Sequence, residues 1–323
     1  MNYSISVIIP IYCVEKYIER CAISLFEQTL DNIEYIFVDD CTPDNSINIL
    51  KSILAKYEKR IPHTKIVRMP VNSGQAAVRK YGISLATGEY IIHCDSDDWV
   101  ELDMYEKLYN TAINGNFDVV ICDFFKSHGK GKSIHVTQTV SENKNELIRE
   151  ILNETIHAAV WNKLIKRNLY RDIIYPKDNL REDLTLIVQL IYRANRIKYI
   201  AEPFYHYFFN ESSITNNKDN IEKTIKLAEQ AVNNYRVLEH FMKENNILDN
   251  YQKEMFNMRC RLKIFSVAQV STPNGYRKWN SLFPDINIIS LYSSRLDNSS
   301  KIKYVIVKLR LYPIYVYIKN KLK

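Results

Sequence analysis

Short apolar strands and amphipathic helices alternate from residue 4 to residue 122, and this alternation restricts the fold more than any other feature. Strands are predicted at 4–12, 33–38, 65–69, 89–94 and 117–122, with a helical pattern between successive strands. The first strand is almost continuously apolar, which is typical of a strand covered on both faces of a parallel sheet. The pattern therefore predicts a doubly wound α/β sheet with helices on both faces.

A different pattern begins near Phe124. The polar stretch 126–132 predicts a hairpin or a loop, and the aromatic run 196–209 predicts a last strand or pair of strands. Beyond residue 219 amphipathic helices dominate, and the Ser- and Asn-rich stretch 275–300 is interpreted as a linker. Helices are predicted at 145–152, 158–169, 181–194, 221–244 and 248–270.

Three carboxylates, Asp95, Asp97 and Asp98, follow directly after the predicted strand 89–94. Residues at the carboxyl ends of strands in an open α/β sheet face a ligand site and not the core. Acids this close repel one another unless a proton or a cation neutralises them. Two acids at positions i and i+2 suit Mg²⁺ or Mn²⁺, which keeps waters and shares a substrate phosphate. Capping of the next helix is the alternative, but it needs fewer acids than three.

Two further acidic pairs stand out in the sequence. Asp39 and Asp40 end the second strand, so we expect them at the same edge of the sheet as Asp95. Glu182 and Asp183 lie at the start of a predicted helix. Turn capping would explain the first pair equally well, and interaction with the helix macrodipole is the alternative for the second.

Single positions exclude other sites that such a sheet can carry. An EF-hand calcium loop needs glycine where this chain has Val100. A dinucleotide site needs a glycine-rich turn after the first strand, where this chain has Pro10, Ile11 and Tyr12. No phosphate-binding P-loop motif occurs in the sequence.

The net charge of +7 is concentrated at one end of the chain. Residues 301–323 contain seven Lys or Arg and no Asp or Glu, so the remaining residues are close to neutral. We therefore expect no nucleic-acid partner. This basic amphipathic tail is too charged, and too interrupted at Pro313, to span a bilayer, but it suits the anionic inner leaflet of a cell membrane. A solvated or domain-covering helix is the alternative.

Cysteine usage and the position of the first strand predict the compartment. The six cysteines are scattered without metal-ligand spacing, which fits a reducing cytoplasm. A first strand that starts by about Ile5 is expected to leave no room for a signal peptide. We therefore expect a cytoplasmic protein that is peripheral to the inner face of the membrane.

An ordered set of motifs spans about residues 4–215. Its members are Val7–Tyr12, Phe37–Ser46, Asn72–Gly74 with Arg79 and Gly82, Gly88–Tyr90, Asp95–Asp98, Trp161–Leu164 and Glu182–Asp183. The set closely resembles the pattern of glycosyltransferase family 2, of the bacterial surface-polysaccharide type. The resemblance implies the GT-A fold, a doubly wound, Rossmann-like mixed sheet, here with a C-terminal helical extension. Cys13 and Cys41 depart from the family's usual asparagine and glycine, and Lys80 departs from its asparagine.

The resemblance implies a nucleotide site in the first half of the domain, about residues 1–123. An aromatic ring can cover the base, and a carboxylate can accept the imide proton of uracil. Whether Asp39 or Asp40 contacts the base, and which of them braces the turn, stays open. Asp95 would accept from the ribose or support its loop. The implied nucleotide-binding residues are Pro10, Tyr12, Asp39, Asp40, Arg79 and Asp95.

The resemblance also implies a divalent cation, Mn²⁺ or Mg²⁺, as cofactor. Asp97 would ligate it beside the diphosphate of a nucleotide-sugar donor. Asp98 would position the donor sugar or water ligands of the metal.

Acceptor chemistry is implied for the second half, about residues 124–215. Asp183 would be the general base that takes the proton of the acceptor hydroxyl, and Glu182 is its rival. Trp161 would line the acceptor site or belong to the core. His206 would reach the diphosphate or be structural.

The implied function is that of an inverting, metal-dependent hexosyltransferase. It would move a hexose or N-acetylhexosamine from UDP to a saccharide acceptor carried on polyprenyl diphosphate, in capsule, exopolysaccharide or O-antigen synthesis. A GDP- or dTDP-sugar is the alternative donor, and a non-catalytic glycan-assembly partner is the alternative class. After the transferase domain, 1–215, we expect a helical extension at 216–300 and the basic tail at 301–323.

Overall fold

The computed structural model describes residues 3–128, 131–209 and 220–321. The chain divides into two compact units, Met1–Asn216 and Asn217–Lys323. The boundary between them, like the domain boundary predicted after residue 215, lies outside the described residues.

The first unit is a layered α/β structure. Its helices are α1 (Ile18–Phe26), α2 (Ser46–Leu54), α3 (Gln75–Leu85), α4 (Met104–Gly115), α5 (Lys144–Asn153) and α6 (Glu182–Arg193). Its strands are β1 (Ile5–Ile11), β2 (Ile33–Asp39), β3 (Thr64–Arg68), β4 (Tyr90–His93), β5 (Trp99–Val100), β6 (Val119–His128), β7 (Lys132–Val136), β8 (Lys163–Lys166) and β9 (Ile197–Phe208).

The nine strands form one mixed sheet in the order β3-β2-β1-β4-β8-β6-β9-β5, with β7 paired to β6. The first four strands of this order are parallel, and β8 runs antiparallel to both β4 and β6. Strand β9 is parallel to β6 and antiparallel to β5. The predicted doubly wound, mixed GT-A sheet is confirmed. The carboxyl ends of β1, β2 and β4 meet at one edge, where the acidic motifs lie.

The structure decides two predictions for the second half of this unit. The helix predicted at 158–169 is wrong, because Lys163–Lys166 is a strand and a short 3-10 turn follows at Arg167–Tyr170. Strand β8 fills the place between β4 and β6, and this pairing outweighs the local helical spacing. The described residues of the stretch 126–132 agree with the hairpin alternative, since β6 continues to His128 and pairs with β7, while residues 129–130 lie outside the described residues.

The second unit is helical. Its helices are α7 (Ile221–Glu244), α8 (Gln252–Phe265), α9 (Gly275–Ser281), α10 (Ile288–Tyr292), α11 (Asn298–Lys308) and α12 (Tyr312–Lys321). The linker predicted at 275–300 is wrong. Trp279 in α9 is fully buried and donates from Nε1 to the Lys263 carbonyl at 2.9 Å, so this stretch builds the unit's own core.

The predicted basic tail begins inside that core. Tyr304 and Val307 of α11 are fully buried, and the Tyr304 hydroxyl donates to the Ile286 carbonyl at 2.6 Å. The first turns of segment 301–323 are therefore an integral helix of the unit and not a free tail. Within the described residues, none of the helices has the length and apolar character needed to cross a bilayer.

Candidate active site

The turn after β2 gives its two acids different partners. Asp40 accepts backbone N–H groups with both oxygens, from Ser73 at 2.7 Å and from Gly74 at 2.8 Å. Asp39 accepts the Thr42 N–H at 2.8 Å with one oxygen, and its other oxygen lies 3.4 Å from the exposed Arg68 guanidinium. Asp40 thus braces the 72–74 turn. Asp39 instead pairs through its second oxygen with the exposed side chain of Arg68.

The 72–74 turn requires a glycine and connects to the second half of the sheet. Gly74 has φ +81°, and a Cβ there would lie 2.4 Å from the Asn179 side chain. Asn179 in turn accepts the Ala76 N–H at 3.1 Å. A side chain at position 74 would therefore disturb both the turn and its contact with the segment that precedes α6.

The two cysteines that depart from the family pattern occupy left-handed backbone conformations. Cys13, after β1, has φ 53°, and Cys41, after β2, has φ 57°. Asparagine and glycine, the family's usual residues there, adopt this region more readily than other residues. The Cys13 N–H donates to Thr42 Oγ1 at 2.8 Å, and Cys41 Sγ lies 3.0 Å from the Met69 carbonyl oxygen. Tyr12, beside Cys13, is half exposed at this edge.

Arg79 is the centre of a buried ionic network. Its guanidinium donates to Asp95 Oδ1 at 2.6 Å and forms a short contact with Glu182 Oε1. Arg79 and Glu182 are both buried, and Gln75 Nε2 adds a second donor to Asp95 Oδ1 at 3.2 Å. The sequence associated Arg79 with the nucleotide and Glu182 with proton transfer. In the structure each neutralises the other and joins α3 to the start of α6.

Asp98 is a buried support for the acidic turn. Its side chain is 1% exposed and accepts from the Tyr205 hydroxyl at 2.6 Å and from the Phe208 N–H at 2.7 Å. Burial, together with the charges of Asp97 and Asp95, raises the pKa of Asp98 well above its usual value. Both oxygens thus attach the turn to β9.

Asp95 and Asp97 are the partly exposed acids of this turn. The Asp95 N–H donates to the Tyr205 hydroxyl at 3.0 Å, so the same tyrosine that holds Asp98 also fixes the backbone here. Among the described residues no three His, Cys, Asp or Glu side chains come together as a metal cluster. Mg²⁺-type ions are usually held by one or two carboxylates plus substrate phosphates, so this pair of oxygen ligands fits such an ion.

Arg20, which no sequence motif indicated, holds the backbone of the same turn. Its Nη2 donates to the Asp97 carbonyl oxygen at 2.8 Å. The guanidinium carbon lies 3.7 Å from the centre of the Trp99 ring and 4.6 Å from that of Phe208. In the sequence Arg20 is only a polar position of an amphipathic helix, and the contact depends on the packing of α1 against β5 and β9.

Asp183 is the partly exposed member of the pair at the start of α6. Its Oδ1 accepts the Leu184 N–H at 2.9 Å, while the adjacent Glu182 is committed to Arg79. The fully buried Lys163 is a charged neighbour: burial lowers the pKa of Lys163 to about 7, and the Asp183 charge opposes that shift. Lys163 occurs in a family motif, but its position beside Asp183 could not be seen from the sequence.

Lys163 also fixes the chain that precedes it. Its Nζ donates to the His157 carbonyl at 2.9 Å, the Ala159 carbonyl at 2.8 Å and Asn162 Oδ1 at 2.8 Å. Burial raises the pKa of Tyr207, and the charges of Asp98, Asp97, Asp95 and Asp183 raise it further. The Arg79 ion pairs with Asp95 and Glu182 connect the acidic turn to the start of α6, where Asp183 lies.

His206 and Trp161, two predicted site residues, both contact other protein side chains. Both ring nitrogens of His206 have protein partners, Ser127 Oγ at 3.1 Å and Glu101 Oε1 at 2.7 Å. Its ring stacks between Trp99 and Phe125, each at 4.6 Å. His206 thus connects β9 to Ser127 of β6 and to Glu101, and its contact with a diphosphate stays a prediction.

Trp161 belongs to the core. Its ring is buried and stacks on Tyr205 at 4.2 Å and on Tyr207 at 5.8 Å. It supports the tyrosines of β9 and does not itself form the wall of an open site.

Comparison with known proteins assigns the chain to a family. Residues 6–174 match the family model described as "Glycosyl transferase family 2". The chain is 33% identical over 261 residues to the putative glycosyltransferase EpsH of Bacillus subtilis (strain 168), covering 78% of this chain and 73% of the relative.

Two solved structures share the fold. TarS 1–349 of S. aureus in complex with UDP-GlcNAc superposes with a TM-score of 0.58 at 19% identity, over 88% of this chain and 92% of that chain. The mannosyltransferase PcManGT of Pyrobaculum calidifontis, in complex with GDP-Man and Mn²⁺, gives a TM-score of 0.56 at 12% identity, over 97% of this chain and 88% of that chain. With a family model that spans more than half of its residues, the chain belongs to glycosyltransferase family 2.

Proposed function

We propose that this protein is an inverting, metal-dependent glycosyltransferase that uses a UDP-hexose or UDP-N-acetylhexosamine. The observation that carries the proposal is the ion-paired Arg79 guanidinium, which joins Asp95 of the acidic turn to Glu182, the neighbour of Asp183. A metal-binding carboxylate and a basic carboxylate are the two groups that such a transfer needs. The UDP-GlcNAc complex of TarS supports UDP as the donor nucleotide.

The acceptor in this proposal is a saccharide carried on polyprenyl diphosphate, for a bacterial surface polysaccharide such as capsule, exopolysaccharide or O-antigen. The protein would act in the cytoplasm at the inner face of the membrane, where a lipid-linked acceptor is presented. The family assignment and the similarity to EpsH support the glycosyltransferase activity on which this acceptor depends.

In the nucleotide half, Tyr12 and Pro10 would contact the base, and Asp39 would accept its imide proton. Asp40 would hold the 72–74 turn beside them. Arg79 would act as a positioning residue, because its guanidinium is engaged by Asp95 and Glu182. Tyr12 is the exposed member of this group, as a base-stacking ring must be.

Asp97, with Asp95 beside it, would hold the divalent cation, Mn²⁺ or Mg²⁺. When bound, such a cation neutralises charge on the diphosphate as the nucleotide leaves. Arg20 keeps the turn in place through the Asp97 carbonyl, and Asp98 does so through Tyr205 and β9. Protein groups alone make these contacts, so the turn is preorganised.

Asp183 would accept the proton of the acceptor hydroxyl as that oxygen attacks the anomeric carbon. The new carbon–oxygen bond forms on the face opposite the diphosphate, the bond to the diphosphate oxygen breaks, and its electron pair leaves with the nucleotide. One such displacement inverts the anomeric configuration. Glu182 is unsuited to the role because its carboxylate is buried against Arg79.

Two alternatives to this proposal are a different donor nucleotide and a non-catalytic role. The GDP-Man and Mn²⁺ complex of PcManGT favours a GDP-sugar as the alternative donor, and a dTDP-sugar differs only in its base. A non-catalytic assembly partner is the alternative class, and the presence of both Asp97 and Asp183 speaks against it.

The proposal is tested by nucleotide binding. We expect UDP with Mn²⁺ to stabilise the protein, by about 2.7 kcal/mol at a hundredfold excess over Kd, and expect chelator or Asp97→Ala to remove this effect. Thermal unfolding with UDP, GDP, dTDP and CMP measures it. Asp31→Ala, at a fully exposed acid, is the control and should keep the shift. If no nucleotide stabilises the protein with Mn²⁺, the non-catalytic alternative is favoured.

The role of Arg20 predicts a second result. Arg20→Met keeps an unbranched chain over Trp99 but loses the donor to Asp97, so we expect Mn²⁺ to bind the nucleotide complex about 10- to 100-fold more weakly. Calorimetric titration of Mn²⁺ in the presence of UDP measures this. Lys16→Met removes an exposed cation nearby and should leave the affinity unchanged. Equal affinities in the two variants would show that Arg20 does not position the turn.

A further inference from the structure

Exposed apolar side chains are concentrated at the end of the described chain. Of nineteen large apolar residues that are exposed, nine lie within residues 288–318. In α10, Ile289 is 85% exposed and Tyr292 is 79% exposed. Clusters of this kind on soluble proteins mark binding surfaces, whereas single exposed apolar residues do not. The nine are Ile288, Ile289, Tyr292, Ile302, Leu309, Leu311, Ile314, Tyr317 and Ile318.

Seven of these residues belong to three consecutive helices, and Leu309 and Leu311 lie in the link between the last two helices. Helix α11 contacts both α10 and α12. Lys301 of α11 donates to the Tyr292 carbonyl at 3.3 Å, and its ammonium lies 5.8 Å from the Tyr292 ring. In α12, Ile314, Tyr317 and Ile318 have the i, i+3, i+4 spacing of a single helix face.

The core fixes this surface in place. Tyr304 and Val307 are buried on the inner side of α11, and the Tyr304 hydroxyl is bonded to the Ile286 carbonyl just before α10. The exposed residues of α10 and α11 therefore form part of a folded unit. A flexible tail would have no such anchor.

The charge of this region is predominantly positive. From residue 288 to residue 323 the sequence holds eight Lys or Arg and one acid, Asp297, which caps the start of α11. Lys321 lies 4.9 Å from the Tyr317 ring, so a cation borders the exposed face of α12. Two copies of this surface would bring like charges together, whereas an anionic bilayer offers both an apolar interior and negative head groups.

We propose that α10, α11 and α12 together form a membrane-docking surface whose ligand is an anionic lipid bilayer. The exposed Ile and Tyr side chains enter the head-group and acyl boundary, and the Lys and Arg side chains contact the anionic head groups. The surface lies on the bilayer and does not cross it. This inference rests on the proposed function for its purpose, since docking brings the enzyme to a lipid-linked acceptor.

The test is cosedimentation of the full chain with vesicles of equal parts phosphatidylcholine and phosphatidylglycerol. We expect binding to these vesicles and at least about tenfold weaker binding to pure phosphatidylcholine. Ile289→Asn with Tyr292→Ser in α10 is expected to weaken binding about tenfold, and so is Ile314→Asn with Tyr317→Ser in α12. Point substitutions are used because deletion of 301–323 would also remove Tyr304 and Val307 from the core.

The matched control is Ile113→Asn with Ile134→Asn, which replaces two exposed isoleucines of the first unit and should bind vesicles like the parent chain. If only the α12 variant is weaker, the tail alone binds and the three-helix surface is wrong. If the control is equally weakened, or binding ignores lipid charge, docking through this surface is wrong. Concentration-dependent self-association that the α10 and α12 variants abolish would assign the surface to a second copy.

Vesicle binding needs neither donor nor acceptor, so its failure is separate from failure of the proposed function. Each docking variant should keep the Mn²⁺-dependent stabilisation by nucleotide. A chain that binds vesicles but no nucleotide would keep the docking surface and remove the proposed activity.

Discussion

Replacement of Asp183 by Asn is expected to lower sugar transfer by about 10²–10⁴-fold while leaving Mn²⁺-dependent nucleotide binding unchanged. The substitution keeps the size of the side chain and its acceptor oxygen for the Leu184 N–H, but it removes the basic carboxylate. Transfer to an acceptor and binding of UDP, measured on the same preparation, separate the two effects.

Asp172→Asn is the matched control for this experiment. Asp172 is exposed and has φ 59°, a conformation that asparagine adopts readily, so the same chemical change there should be silent. Normal transfer by Asp183→Asn would show that another group removes the proton. Loss of both nucleotide binding and transfer would show that Asp183 supports the site structurally.

Replacement of Arg79 by Met is expected to destabilise the protein by about 3–5 kcal/mol. The Glu182 carboxylate is buried, and with Asp95 it would be left without its cation. Removing one partner of a buried ionic network costs far more than the network contributes, because the remaining charge stays desolvated. Denaturant unfolding of the full chain at neutral pH, followed for the first unit, measures the decrease in the free energy of unfolding.

Two further variants sharpen this result. Arg79→Met combined with Glu182→Gln should recover part of the lost stability, because the uncompensated buried charge is removed. Arg68→Met breaks an ion pair whose arginine is 64% exposed, and it should cost less than about 1 kcal/mol. If Arg79→Met were as mild as Arg68→Met, the network would not hold α3 and α6 together.

Much of the sheet and the position of its acids could be predicted, because both depend on local patterns. Apolar runs define β1, β2 and β4, and parallel strands in such a sheet bring their carboxyl ends together. That reasoning places Asp39 and Asp95 at one edge. It could not distinguish Asp97 from Asp98, since what separates them is Tyr205, more than a hundred residues later in the chain.

The wrong predictions share this dependence on distant partners. The sequence around Lys163–Lys166 has helical spacing. The segment is a strand because it pairs with β4 on one side and with β6 on the other. The stretch 275–300 around Trp279 looks like a linker because nine of its 26 residues are Ser or Asn. Its single tryptophan nevertheless packs in the core of the second unit, and the sequence spacing does not show which residues it packs against.

Strand β9 has a consequence for how the region can be divided. It lies between β6 and β5 in the sheet, and its Tyr205 and Phe208 hold the acidic turn, yet it begins at Ile197, beyond the end of the family-model match at residue 174. The stretch matched by the family model therefore lacks a strand that holds the acidic turn. An exchange of segments between relatives that stopped at residue 174 would leave the acidic turn without the support of its own β9.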